Sequence, residues 1–181
     1  MGADNQQERH SRTEAARWFL AGFIEGEGAL CVGIKEHPTT RSGYYVDPEF
    51  YLYQHVSGRR LLELAQAIFQ TGRIYPKPGN ASVLVYAVTS RQAIATKVVP
   101  FFERYVLPFT CKRETFDRFR EIVELIKRRE HFTPNGLVRI VEKAYAMKPA
   151  HKGRRRLRPL EQVRGRILRD CTPDPRTSVE V

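Results

Sequence analysis

The sequence predicts an α+β fold: a four-stranded antiparallel sheet backed by helices, with further helices after it. Three observations predict this. Residues 13–25 read as a helix with an apolar end. Two pairs of segments with strand patterning follow, 29–36 with 49–56 and 73–77 with 82–89, each pair separated by turn-forming residues. Between and after the pairs come segments with apolar residues at helical spacing, so the order is helix, strand, strand, helix, strand, strand, helix.

The 181 residues suffice for one domain with a real core and a small appendage, and a hydrophobic share of 41% fits a globular chain. A net charge of +11 calls for a polyanionic partner. No apolar run is long enough to span a bilayer and no signal peptide is visible, so the expected setting is intracellular, with no membrane partner. The three cysteines, Cys31, Cys111 and Cys171, are odd in number and far apart, which speaks against a disulfide framework or a cysteine metal site.

Residues 1–11 are polar without pattern and are expected to form a loose tail. Thr13 is the expected cap of the first helix, which should end at Glu25 or Gly26. Its apolar run, from Trp18 to Ile24, stops abruptly in Glu25-Gly26-Glu27-Gly28. Carboxylates at a helix C-terminus face the negative end of the macrodipole, and a divalent cation is the expected compensation. Gly22 and Gly26 share one face, with Ala21 beside them. A helical glycine costs about 1 kcal/mol relative to alanine, so such a face needs a reason, and close approach of another backbone supplies one.

In residues 29–36, Leu30, Val32 and Ile34 alternate with Cys31, Gly33 and Lys35. Residues 37–46, with Pro38, Arg41, Gly43 and Tyr44, read as an exposed hairpin loop. On the return strand Phe50, Leu52 and Gln54 share one face, and Tyr51, Tyr53 and His55 the other. Residues 59–70 show Leu61, Leu64, Ala65 and Ile68 at helical spacing, ended by Thr71-Gly72. Pro78-Gly79-Asn80 is the turn between the last two strands. Ser90 caps a helix that Pro100 should interrupt. Residues 112–129 form an amphipathic helix on Phe116, Phe119, Val123 and Ile126. Thr133-Pro134 opens another, carrying Leu137, Ile140, Val141 and Ala144. A basic cluster follows, with Lys152, Arg154, Arg155, Arg156 and Arg158, then Arg164, Arg166 and Arg169. Pro173 and Pro175 mark a frayed end, and no segment repeats another. The expected organisation is a flexible tail over 1–11, a core over 12–130 and a basic helical extension over 131–181.

The stretch Leu20-Ala21-Gly22-Phe23-Ile24-Glu25-Gly26-Glu27-Gly28 resembles the motif of the LAGLIDADG homing endonucleases, each position being the family residue or a close substitute. The αββαββα order of residues 12–129 is similar to that family's core. The resemblance implies that motif helices of two halves pack at a two-fold axis. With a single motif, the chain would form an isologous homodimer through Trp18, Ala21, Gly22, Glu25 and Gly26. It also implies that the second acid, Glu27, holds divalent metal at the scissile phosphate, with Gly26 beside it. The family more often has aspartate at both acids, and the extra methylene of glutamate moves the carboxylate outward.

A glutamine at the end of the second strand would help order water, and Gln54 matches it. Arg59 or Arg60 matches a basic residue near the next helix start, and Lys112, with Arg113 as competitor, matches a lysine before the last core helix. The sheet would lie over the DNA major groove, which admits a β ribbon. Lys35, Tyr51, Tyr53, Arg73, Tyr75 and Lys77 fall on the strand parity away from the core, and Arg41 and Tyr44 on the hairpin loop. Lys152, Arg154 and Arg155 would contact phosphates without reading sequence.

Two metal ions about 3.5–4 Å apart can activate water, neutralise charge and help the leaving oxygen. Oxygen ligands suit Mg²⁺, and two chains would bring one Glu27 each. The function implied is a site-specific double-strand DNA endonuclease, encoded in an intron, that leaves short 3′ overhangs and uses no small-molecule cofactor. Its setting would be a bacterial cytoplasm or an organelle. An RNA-binding maturase on the same fold is the alternative, and an inert DNA-binding regulator a further one. A maturase is expected to have a damaged acid motif, and Glu27 is present.

Overall fold

A computed structural model describes residues 3–38, 40, 42–147 and 158–169, with 3–10 described by their backbone. The elements in order are α1 (Ala3–Glu27), β1 (Gly28–Glu36), β2 (Tyr44–His55), α2 (Arg59–Phe69), β3 (Arg73–Lys77) and β4 (Asn80–Val88). After them come α3 (Arg91–Ala93), α4 (Val99–Phe101), α5 (Arg113–Lys127), α6 (Pro134–Ala146) and α7 (Leu160–Arg169). The four strands form one sheet in the order β1-β2-β4-β3, with β4 antiparallel to both β2 and β3. The α+β class and the αββαββα order are as expected.

α1 starts at Ala3, not at Thr13, which lies inside it. Gln6, Gln7, Glu8, Arg9, Glu14, Ala15 and Ala16 are good helix formers, so nothing local stops the helix before the apolar stretch. The tail expected over 1–11 is therefore helical backbone from Ala3 onward.

Close contacts divide the chain into two units. The first holds residues 1–31 and 48–116, the second 32–47 and 117–181. The core of the first is aromatic: the Phe50 ring lies 5.7 Å from Phe69 and 5.5 Å from Phe102, and Phe102 stacks on Phe116 at 5.4 Å. Leu20 and Ile24 of α1 are fully buried, each contributing about 1.5–3 kcal/mol by leaving water. On α2 the buried residues are Leu62, Ala65 and Phe69, a stripe turned from the expected Leu61, Leu64, Ala65 and Ile68, because the larger Phe69 takes the core position. Gly72 adopts φ +86°, and a Cβ there would meet the Tyr86 ring at 2.5 Å, so both the turn and the packing require glycine.

Pro100 does not interrupt its helix. The wider turns Ile94–Val98 and Phe102–Val106 flank it, and Leu107 N–H donates to the carbonyl of Phe102, five residues back, at 2.8 Å. Such turns absorb the N–H that proline lacks and make room for its ring. Ser90 caps α3, its side chain accepting from Ala93 N–H, as expected. In the second unit Thr133 caps α6 by accepting from Gly136 N–H, again as expected. Leu137, Ile140 and Val141 of α6, and Val163 and Ile167 of α7, are buried there.

Candidate functional site

α1 turns two faces to its surroundings. Leu20, Ala21 and Ile24 are buried within the chain. Gly22 and Gly26 are exposed, and beyond the helix's own nearby backbone no atom of the described residues lies within 4 Å of where a Cβ would sit on either. Phe19, 58% exposed, continues that stripe one turn earlier. Ala21 was expected on the same interface, but it is only 5% exposed and its methyl belongs to the chain's own core. Trp18 is 40% exposed and packs edge-on to Tyr105 at 5.0 Å and to Phe109 at 5.9 Å.

The two acids at the end of α1 have different surroundings. Glu25 is held by its own chain: Thr110 Oγ1 donates to Oε2 at 2.6 Å and Cys111 N–H to Oε1 at 3.2 Å. Lys112 Nζ donates to the Glu25 main-chain carbonyl, and Lys112 N–H donates to Thr110 Oγ1 at 2.9 Å. Glu25 was expected at an interface with a second copy, yet its carboxylate is turned onto residues 110–111. The negative end of the helix thus receives a lysine, the favourable charge for the last carbonyls, where a metal alone was expected to compensate. Glu27 is exposed, and its carboxylate has no hydrogen-bond or ion-pair partner among the described residues.

Of the residues expected to support Glu27, the structure brings Lys112 to the end of the motif helix. Arg113 instead donates to the Leu107 carbonyl at 3.1 Å. Gln54 Oε1 accepts from His55 N–H at 2.7 Å, and its register partner is Leu84, on the core-facing parity. Arg59 Nε lies 2.7 Å from Glu63 Oε1. No hydrogen bond or ion pair joins Gln54 or Arg59 to Glu27 or Lys112 among the described residues.

The other sheet face carries two aligned rows. Tyr51, Ala87 and Arg73 are register partners, and so are Tyr53, Val85 and Tyr75. Cross-strand partners share a face, so the tyrosines and Arg73 lie together above the small apolar side chains of β4. The Tyr51 and Tyr53 rings are 6.2 Å apart, and Lys77 Nζ sits 5.6 Å from the Tyr53 ring. Burial, together with the neighbouring Glu49 carboxylate, pushes the Tyr51 hydroxyl above its ordinary range, and burial does the same for Tyr53. Both hydroxyls therefore stay neutral at physiological pH and can donate as well as accept.

In the second unit Lys35 Nζ lies 3.6 Å from Asp47 Oδ2 and 5.8 Å from the Tyr45 ring centroid. Tyr44 was expected on an exposed loop, but β2 starts there and Tyr44 is only 3% exposed. Alternation along the strand turns it inward, where its ring cannot reach a base edge. Arg41, Lys152, Arg154 and Arg155 lie outside the described residues. Thr110 was missed in the sequence. The only signal for it was its place two residues before Lys112.

Among the described residues no three His, Cys, Asp or Glu side chains gather into a metal-binding group. One chain offers an exposed carboxylate at Glu27 and the main-chain oxygens at the end of α1. These are hard oxygen donors of the kind Mg²⁺ takes, and they fit part of a site that a second copy and a phosphate would complete. No described helix is long and apolar enough to cross a membrane.

Residues 20–123 match the family described as LAGLIDADG endonuclease. The DNA endonuclease I-CeuI of Chlamydomonas moewusii is 40% identical over 121 residues, which cover 66% of this chain and 56% of that protein. The homing endonuclease I-ApeII of Aeropyrum pernix is 31% identical over 159 residues, 87% of this chain and 93% of that protein. Among solved structures, I-CeuI complexed with DNA superposes with a TM-score of 0.79 at 34% identity, covering 84% of this chain and 76% of that one. The archaeal enzyme I-Vdi141I complexed with DNA superposes with a TM-score of 0.78 at 32% identity, covering 87% of this chain and 97% of that one. With a motif helix ending in paired acids, a four-stranded sheet and a family match over 20–123, the chain belongs to the LAGLIDADG endonuclease family.

Proposed function

We propose that this chain is a site-specific, intron-encoded DNA endonuclease that cuts both strands as a homodimer in Mg²⁺ and leaves short 3′ overhangs. The observation that carries the reading is the contrast between the two motif acids: Glu25 is engaged by residues 110–111, while Glu27 is exposed and unpartnered among the described residues. A carboxylate at the negative end of a helix is disfavoured by about 0.3–1 kcal/mol, and a cation bound there would offset that.

In this reading Glu27 and the Gly26 carbonyl would hold the metal, which would supply an activated water and charge neutralisation at the scissile phosphate. Lys112, anchored on the Glu25 carbonyl, adds positive charge beside the developing oxyanion. Gln54 orients the attacking water. The exposed stripe of Gly22 and Gly26, with Trp18 at its rim, receives the same stripe of a second copy, so that each strand meets one Glu27. Tyr51, Tyr53, Arg73, Tyr75 and Lys77 meet base edges in the major groove, as does Lys35. Arg59, Arg41, Lys152, Arg154 and Arg155 add phosphate contacts.

The test is selection of cleaved duplexes from a randomised pool in Mg²⁺, followed by the same assay on Glu27→Gln. The variant should bind the selected duplex but lose cleavage by more than the roughly hundredfold that loss of an outer-shell partner costs. Full cutting by Glu27→Gln would overturn the mechanism. Recovery of no cleaved duplex, together with enrichment of structured RNA in a parallel binding selection from an RNA pool, would favour the maturase.

A further inference from the structure

The carboxylate of Glu36, at the end of β1, is gripped from the other end of the chain. Arg158 Nε lies 3.0 Å from Glu36 Oε1 and Arg166 Nη1 lies 3.1 Å from the same oxygen. The Tyr44 hydroxyl, at the start of β2, donates to that oxygen at 3.3 Å. The Arg166 guanidinium also lies over the Tyr44 ring, 5.2 Å from its centroid. Gly43 closes the loop between the strands with φ +67°, and a Cβ there would meet Arg166 Nε at 2.9 Å. Only glycine lets the guanidinium come this close to that backbone. Within the loop, His37 N–H donates to Gly43 O at 3.0 Å, Thr40 N–H to His37 O at 3.2 Å, and Gly43 N–H to Thr40 O at 2.9 Å.

We infer that Arg158 and Arg166 are positioning residues, which clamp the β1–β2 hairpin through Glu36 and so set sequence discrimination without touching phosphate. Resting on the DNA reading above, this gives two basic C-terminal residues a part distinct from electrostatic attraction. A hairpin ends in a loop whose entropy must be suppressed before its side chains can tell one base from another. Two cations on one carboxylate, with a ring beneath one of them, hold both strand ends at the loop's base.

The test compares full-length wild type with Glu36→Gln and Arg166→Met. Glu36 and Arg166 are both substantially exposed, at 40% and 42% of their side chains, so the fold should survive either change. In the free protein, hydrogen exchange at the amides of His37, Thr40 and Gly43 should speed up about tenfold in both variants, with β4 amides unchanged. On DNA, discrimination between the selected duplex and single base-pair variants should fall about tenfold. Binding to unrelated duplex should keep its salt dependence in Arg166→Met, and should strengthen slightly in Glu36→Gln, which carries one fewer negative charge. The inference is overturned if Arg166→Met lowers the salt slope by about one while exchange and discrimination stay at wild-type values, because Arg166 would then be a phosphate contact. If wild type selects no duplex, the endonuclease reading fails and the discrimination claim falls with it, while the exchange result still decides whether the hairpin is clamped.

Discussion

Thr110 Oγ1 donates to Glu25 Oε2 at 2.6 Å, across 85 residues of sequence. The bond fixes the last turn of the motif helix to the residues that lead into α5. Lys112, two residues on, then reaches the Glu25 carbonyl. The orientation of the helix end, and so of Glu27, depends on this short segment.

Removing the hydroxyl should show it. Thr110→Val should cost about 1–2 kcal/mol of stability, the range for a partly solvated hydrogen bond to a charged group. Urea denaturation measures the loss, and a double-mutant cycle with Glu25→Ala, which leaves the hydroxyl no side-chain acceptor there, should return most of it as coupling. A cycle with no coupling would mean that the contact does not orient the helix end.

Glu14 gives a pH signature. Burial works to raise its carboxyl, but hydrogen bonds from Tyr105 and Arg17 and the charge of Arg104 outweigh it and hold the group below its ordinary value of 4.5. The Tyr105 hydroxyl is 3.0 Å from Oε2 and Arg104 Nη2 is 3.3 Å from Oε1. A lowered folded value favours the native state above the unfolded value and loses that effect as pH falls through the folded one. The stability advantage of wild type over Glu14→Gln should therefore be full at neutral pH and fade below pH 4.5. Thermal melts of both proteins across the acid range check it.

The glycine stripe separates folding from association. Beyond the helix's own nearby backbone, no atom of the described residues lies within 4 Å of a Cβ built at Gly22, so Gly22→Val should leave the melting temperature unchanged or raised at dilutions where wild type is also a monomer, and lower it only where wild type associates. The same branched side chain would hold a second helix away. Light scattering should find wild type as a dimer at high concentration and the variant as a monomer, with cleavage lost. A variant that dimerises and cuts normally would show that the stripe is not the interface.

Much of the fold was legible because its signals are local. Leu52 and Tyr51 alternate as strand neighbours must, and Ser90 and Thr133 cap where a hydroxyl precedes a helical pattern. Thr71-Gly72 marks the turn into β3, but the left-handed cap that ends α2 is Gln70, at φ 49°, two residues before the glycine. The expectations that failed involved competition between local signals. Thr13 reads as a cap, but strong helix formers on its N-terminal side carry the helix through it. Pro100 reads as a break, but wider turns on both sides absorb it. Tyr44 reads as loop because the glycine before it is a turn signal, yet the strand begins at once and its parity turns the ring inward.

The order of residues along the chain was enough, by itself, to determine the motif, its two acids, the glycine stripe and the strand parity. Each of these is a matter of spacing within one element, where the periods of helix and strand leave little freedom. Only the tertiary structure could decide that Glu25 is bound by Thr110 while Glu27 is exposed, that Ala21 belongs to the core, and that Arg166 grips Glu36. Those outcomes join residues far apart in sequence, and which of several equivalent cations or hydroxyls reaches a given carboxylate is set by packing of whole elements, on which local pattern is silent.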